Sequence, residues 1–297
     1  MIVFWQDEKL PLNKNFFGPK PVRFLEIGFG KGDFLIHLFA LDPLSPLVGI
    51  EISKKMIKTL LKKLSYHPNI FLFYGDAKFL LKYVFPNFLF EKIFMLFPFT
   101  FKKEKHKERR IYENDFPEII WYSLKEEGKF YSITDEKFFY EEMKEKFLRK
   151  GYFIEDEFED FFLEKATDTK YARKWKKIGK KFYFLSLKKV SDKKPDLEKK
   201  IKIINKFDHL ILEKEDFENN YERKEKERIF KLKRIFTSDK SKIFEFFSKE
   251  ENFEQFLFFL MEKKDKILLK PLFKEKMIFT EWILDNLKNV FFLKPQN

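Results

Sequence analysis

The run Leu25-Glu26-Ile27-Gly28-Phe29-Gly30-Lys31-Gly32 lies between a short strand pattern, Arg23 to Ile27, and a helix pattern from Asp33 to Ala40. Glycines at such a junction let the backbone turn sharply and let a ligand approach it with no Cβ in the way. A dinucleotide fingerprint, Gly-x-Gly-x-x-Gly, would place its third glycine at position 33. Asp33 stands there instead, where an anion would face a pyrophosphate. The glycines fall at Gly28, Gly30 and Gly32, with Glu26 two residues before the first. This arrangement suits a ligand without phosphates that carries positive charge.

Strand and helix patterns keep alternating. Leu47 to Ile50 reads as a second strand, followed by a helix capped by Ser53 that runs to about Leu64. Ile70 to Tyr74 is a third strand with a helix over Ala77 to Val84, and Lys92 to Phe97 is a fourth. A helix from Asn114 to Leu124, a strand at Phe130 to Ile133, a helix from Glu136 to Leu148 and a strand at Phe182 to Leu187 complete the unit. Repeated βα units predict a doubly wound, mostly parallel sheet. Glu51 and Asp76 end the second and third strands, where carboxylates can accept from ribose hydroxyls and an adenine amino group. Each acid alone could equally cap the next helix. Three of them at successive strand ends after the glycine turn point together to S-adenosylmethionine, whose ammonium and sulfonium are cationic.

The 297-residue chain carries 61 Lys and Arg against 48 Asp and Glu, a net charge of +13 that points to a polyanionic partner. Its 43 Phe against 9 Gly belong to a packed globule with an aromatic core. Abundant Lys and Glu with no Cys fits thermophily, and an AT-rich genome would also favour Lys and Phe. The absence of Cys rules out disulfides and thiolate metal sites, and with only 4 His no metal site is expected. No secretory leader is recognised, because Asp7 and Glu8 interrupt the opening apolar run, and no stretch is long enough to span a bilayer. A soluble, cytoplasmic monomer is expected. Composition shifts near Ser191 to Pro195, which sets the expected domains at 1–190 and 196–297. The second is read as a small basic α+β appendage with a helix over Lys276 to Val290 and strands at Ile229 to Phe236 and Lys266 to Leu269.

From about Phe17 to Lys189 the chain resembles the bacterial tRNA (guanine-N7)-methyltransferases. The likeness runs through Leu25 to Gly30, Gly49-Ile50-Glu51, Gly75-Asp76-Ala77, the basic loop Lys102 to Arg110, Thr134-Asp135 and Thr169-Lys170-Tyr171. It implies a Rossmann-like class I methyltransferase fold using S-adenosyl-L-methionine, with the C-terminal extension of some thermophilic members. The resemblance assigns Glu26, Gly28, Gly30, Gly32, Glu51 and Asp76 to the cofactor. Lys103, Asp135, Thr169, Lys170 and Tyr171 would line the guanine pocket, and Lys105, His106, Lys107, Arg109 and Arg110 would lie against RNA. Two positions depart from the family pattern: Phe99 stands where the family has the Asp regarded as catalytic, and Ala172 where it has Glu.

Guanine N7 has an unprotonated lone pair, so a general base is not obligatory, and proximity can lower the barrier by roughly 7–11 kcal/mol. The expected function is transfer of a methyl group to N7 of a guanine in the tRNA variable loop. The alternatives are a catalytically weakened homologue that still binds cofactor and RNA, and a small-molecule methyltransferase. Phe99 is expected to pack in the core or the cofactor pocket, with base stacking as the other reading. A second basic tract, Arg173 to Lys181 with Tyr171 and Trp175, could extend a phosphate-binding surface.

Overall fold

The computed structural model describes residues 10–64, 67–197, 199, 203–204, 207, 209–226, 228–238, 241–251, 253–263, 266–272 and 279–293. The chain divides into two compact units, one built on Pro11–Glu198 and the other on Lys199–Asn297.

The first unit holds a seven-stranded sheet in the order β3-β2-β1-β4-β5-β7-β6. Its strands are β1 (Phe24–Ile27), β2 (Leu47–Glu51), β3 (Ile70–Tyr74), β4 (Phe90–Leu96), β5 (Leu124–Thr134), β6 (Phe153–Glu155) and β7 (Tyr183–Lys189). β1 to β5 pair in parallel, whereas β7 runs antiparallel to both β5 and β6. The central strands are buried on both faces, which explains their unbroken apolar runs. Phenylalanine fills the interior: Phe94 stacks on Tyr131 with centroids 5.0 Å apart and meets Phe34 edge-on at 5.1 Å.

The helices α1 (Asp33–Leu41), α2 (Lys54–Leu61), α4 (Phe116–Ser123) and α5 (Lys137–Arg149) fall where periodicity places them, within a few residues. The expected helix over 77–84 is α-helical only in α3 (Ala77–Phe79) and then widens into a π turn, Leu80–Val84, closed by the Phe85 amide donating to the Leu80 carbonyl at 2.9 Å. Three elements escape the sequence pattern: β6, α6 (Asp160–Thr167) and α7 (Lys170–Lys177). β6 spans only three residues, and α7 is a charged surface helix with a single buried residue, Ala172, so neither has a periodic apolar face to read.

The register brings the functional strand ends into line. Ile27 sits beside Ile50 and Met95, and Met95 beside Ser132. The ladder continues past the strands: the Gly28 amide donates to Ile50, Gly75 to Glu51 and Phe97 to Ile133. The glycine turn, Glu51, Asp76, the loop after β4 and Asp135 therefore all leave the carboxyl edge of one sheet. Ligands of open α/β sheets bind at that edge.

The second unit is richer in strand than its sequence suggests. An antiparallel sheet, β8-β13-β12-β11-β10-β9, comprises β8 (Leu210–Leu212), β9 (Glu222–Glu225), β10 (Arg228–Thr237), β11 (Ser241–Glu250), β12 (Phe253–Lys263) and β13 (Ile267–Leu272). Short, mostly apolar runs, Ile243 to Phe247 and Phe256 to Met261, form the middles of β11 and β12, with Lys and Glu gathered mainly toward the strand ends. The helix α8 (Glu281–Val290) begins later than expected, at its cap Thr280, whose hydroxyl oxygen accepts from the Ile283 amide at 3.1 Å. The start expected at Lys276 falls outside the described residues. α8 seals a core of its own with Trp282, Ile283 and Leu287 over Phe230, Phe246 and Phe259. No described helix is long and apolar enough to cross a membrane.

Candidate active site at the carboxyl edge of the first sheet

Glu26 lies inside β1 at 3% exposure, and its Oε2 has no hydrogen-bond partner among the described residues. Burial, reinforced by the nearby Glu51 and Asp33 carboxylates and opposed by the Leu35 amide, pushes its pKa up to about 8. Among the described residues the buried Glu113, Glu118 and Glu250 also leave an oxygen unmatched, and Glu26 differs from them in standing two residues before the glycine turn. Gly28 is exposed, turns at φ +71°, and a Cβ there would enter open space. The turn thus presents bare backbone next to a carboxyl that a cation would ionise and satisfy. These residues fit a positively charged ligand.

Glu51 is 7% exposed and clasps the turn. Its Oε2 accepts from the Gly30 amide and its Oε1 from the Ser53 amide, each at 2.9 Å. Ser53 therefore feeds Glu51 through its backbone and makes no side-chain cap for α2, contrary to the sequence reading. Each carboxylate oxygen keeps a lone pair for a ligand. Asp76 does cap its helix, accepting from the Phe79 amide at 2.9 Å, while burial holds its carboxyl above the usual range. Gly32 plays another part: at φ +76° a Cβ would lie 2.3 Å from Leu60 of α2. Helix packing and the positive φ already require glycine at this position.

After β4 the chain enters a constrained loop. Phe97 and Phe101 adopt φ +50° and +43°, conformations costing about 1–3 kcal/mol each in a non-glycine residue. Phe99 lies between them, 77% exposed, with its ring 4.6 Å from Phe101. The expectation that Phe99 packs in the core is overturned, because its ring is left exposed between the two positive-φ residues. A 3-10 turn over Glu104–Arg109 follows, with Lys103, Lys105, Lys107 and Arg109 exposed and His106 half-buried. The Arg109 guanidinium lies over the Phe101 ring at 4.7 Å.

Arg110 is a correction to the expected RNA-binding set. It is 2% exposed, donating to Glu142 at 2.9 Å, Glu104 at 3.3 Å and the Phe101 carbonyl at 3.2 Å. Its side chain anchors the loop from within and is not free for a phosphate.

Asp135 follows β5 and pairs with Lys180, whose ammonium also lies 3.8 Å from the centroid of Trp175. Thr169 caps α7 by accepting from the Ala172 amide at 3.3 Å, and it donates to the Ala166 carbonyl. Its hydroxyl is thus committed to the helix. Lys170 and Tyr171 are exposed, and the Lys31 ammonium sits 5.8 Å above the Tyr171 ring. Sequence reasoning missed Asp33 as a tie. One oxygen accepts from Lys63 Nζ at 2.7 Å and the other from the Lys170 amide at 3.3 Å. Burial alone would raise the Asp33 pKa, but these contacts outweigh it and hold the carboxyl low. α7 is thereby fastened beside the glycine turn at its start, while Lys180 just beyond its end grips Asp135. The substitution of Asp33 for a third fingerprint glycine was the available signal.

The sheet order, its single reversed strand β7 and the glycine turn leaving β1 define a class I methyltransferase domain. Residues 20–185 match the Methyltransf_4 family model, described as "Putative methyltransferase", and the chain belongs to that family. The tRNA (guanine-N(7)-)-methyltransferase of Thermotoga maritima is 33% identical over 187 residues, covering 62% of this chain and 59% of the relative. The enzyme of that name from Saccharophagus degradans is 33% identical over 123 residues, or 40% of this chain and 54% of its own length. The matched segment thus spans little more than half of either relative. The one from Aquifex aeolicus is 28% identical over 260 residues, 81% of this chain and 83% of the relative, so that likeness extends into the second unit.

Glu26 takes up a proton on folding, because its folded-state pKa of about 8 lies above the ordinary 4.5. Its contribution to stability is complete below about 4.5 and is lost as pH rises through 8. Glu26→Gln should therefore flatten the stability profile of the unliganded protein across this window, read by denaturant unfolding; an unchanged slope would place the charge elsewhere. Arg110→Met should cost roughly 1.5–3 kcal/mol by losing bonds to charged partners. Arg109→Met should stay within about 0.5 kcal/mol, as expected for an exposed site. Equal losses in the two variants would contradict the buried anchor.

Proposed function

We propose that this chain transfers a methyl group from S-adenosyl-L-methionine to N7 of a guanine in the tRNA variable loop. The observation that carries the reading is the unpartnered Glu26 oxygen beside the open glycine turn, which asks for a cationic ligand. The family match and the names of the relatives support the substrate.

The donor, when bound, supplies a methyl group on a cationic sulfur. Glu26 would ionise and face the donor's ammonium, with the Gly28 and Gly30 backbone leaving room alongside. Glu51 would accept from ribose hydroxyls with the lone pairs left by Gly30 and Ser53, and Asp76 from the adenine amino group. Lys103, Asp135, Lys170 and Tyr171 would border the guanine, while Thr169 acts through its cap on α7. The guanine N7 lone pair forms the new N–C bond as the S–C bond breaks, with that pair remaining on sulfur. No proton leaves N7, so the loss of the family's Asp at Phe99 does not remove an obligatory base. What the chain must provide is in-line proximity and a setting for the positive charge left on the base.

Lys105, His106, Lys107 and Arg109 would lie along tRNA phosphates, helped by the basic stretch of α7. We assign the methyltransferase work to residues 1–190 and treat 196–297 as a basic appendage, acting in the cytoplasm.

Purified protein incubated with unmodified tRNA and methyl-labelled donor should place the label in a variable-loop guanine that becomes sensitive to borohydride and aniline cleavage. Binding of both ligands with no label in any tRNA would defeat the enzyme reading. The logarithm of tRNA affinity should fall linearly with that of salt. Lys105→Ala with Arg109→Ala should lessen the slope by roughly 0.7–0.9 for each phosphate that the chain no longer neutralises.

A further inference from the structure

An aromatic side chain left 77% exposed at the end of a buried strand, in a loop whose backbone is fixed, is unexplained by packing. The loop is held at both ends. The Phe97 amide donates to the Ile133 carbonyl at 2.7 Å, and the Phe101 carbonyl accepts from buried Arg110 at 3.2 Å. Phe101 buttresses the Phe99 ring at 4.6 Å with their planes 72° apart, and Arg109 covers Phe101 at 4.7 Å. Phe97 packs against the core and meets Phe182 at 5.0 Å, and Phe99, between the positive φ values at Phe97 and Phe101, stays exposed without such a contact. Persistent strain of this kind gathers at sites that bind or react. The register puts this loop after β4, between the glycine turn after β1 and Asp135 after β5.

We propose that Phe99, braced by Phe101, is the surface on which the substrate base stacks, so that this chain positions its guanine through an aromatic face. The inference rests on the reading of a nucleic-acid base as substrate. Every base has a π face, and an exposed, rigid aromatic ring is the group that single-stranded bases use for docking. Methylation adds a reason. As N7 takes the methyl group the base becomes cationic, and the electron-rich face of a phenyl ring attracts that charge more than it attracts neutral guanine. Phe99 therefore favours the transition state over the ground state, the difference that raises turnover. Phe99 is a positioning residue in contact with the base, and its effect on rate is electrostatic, without proton transfer.

The test compares Phe99→Ala, Phe99→Leu and Phe99→Trp. RNA affinity is measured by fluorescence anisotropy with unmodified tRNA, donor affinity by calorimetry, and methyl transfer by steady-state kinetics. Phe99→Ala and Phe99→Leu should both lower kcat/KM for tRNA by roughly 5–150-fold, the range that one stacked base commands. Donor affinity should stay unchanged, and Phe99→Trp should restore most of the loss. Because stacking tolerates base identity, Phe99→Ala should weaken binding equally for tRNA carrying adenine at the target position. Two results would overturn the proposal: Phe99→Leu matching the parent chain, or Phe99→Asp binding tRNA more tightly and turning over faster. If no variant methylates any tRNA while the Ala, Leu and Trp series still orders the RNA affinities, stacking stands and the methyltransferase reading falls. Robust methylation that is indifferent to the whole series sinks stacking and leaves the enzyme reading intact.

Discussion

Removing a carboxyl group from water without a partner is so costly for its charged form that the group keeps its proton. Glu26 is in that state, one residue before the end of β1, with one oxygen unmatched and its pKa near 8. Around it the chain has arranged a clasp and a tie. Glu51 holds the glycine turn open through Gly30, and Asp33 fastens α7 at the rim. The same acids that press the Glu26 pKa upward would together favour a cationic guest. A positive ligand relieves this repulsion as well as matching the unpaired oxygen, so affinity and specificity for charge come from one source.

The basic loop divides its work by burial. Arg110 spends its guanidinium on Glu142, Glu104 and the Phe101 carbonyl, and this internal network fixes the turn that displays Lys105, Lys107 and Arg109. The lysines and arginines of this short run look interchangeable in a sequence, but the interior has taken one of them. The same anchor determines how Phe99 is presented. The loop after β4 thus presents an exposed aromatic ring just beyond the carboxyl edge of the sheet.

The strands of the first sheet and their mostly parallel arrangement were legible because buried parallel strands read as apolar runs broken by glycine, and because Glu26, Glu51 and Asp76 mark three strand ends. α6 and α7 were not legible: Phe161 and Phe162 look like core without a period, and α7 carries lysine and arginine on nearly every side. Glu51 is recognisable as a ligand acid but not as the clasp on Gly30, since that bond joins residues 21 apart in sequence and depends on the register of β1 with β2. Phe99 falls at the right strand end and on the wrong side of the surface, because only backbone geometry reveals the positive φ of its neighbours. In the second unit, Phe244, Phe246, Leu257 and Phe259 face the core with a period of two. Their outward neighbours Phe247, Phe256, Phe258 and Leu260 are apolar as well, which hides that period in the sequence.

The account is tested most directly by following the Glu26 side-chain carboxyl carbon by NMR across pH, with the resonance assigned by its loss in Glu26→Gln. In the free protein the midpoint should lie near 8, and saturating S-adenosylmethionine should move it down toward the ordinary carboxylate range as the ammonium arrives. A midpoint already near 4.5 in the free protein, or one that the ligand leaves unmoved, would contradict the central role given to this buried acid.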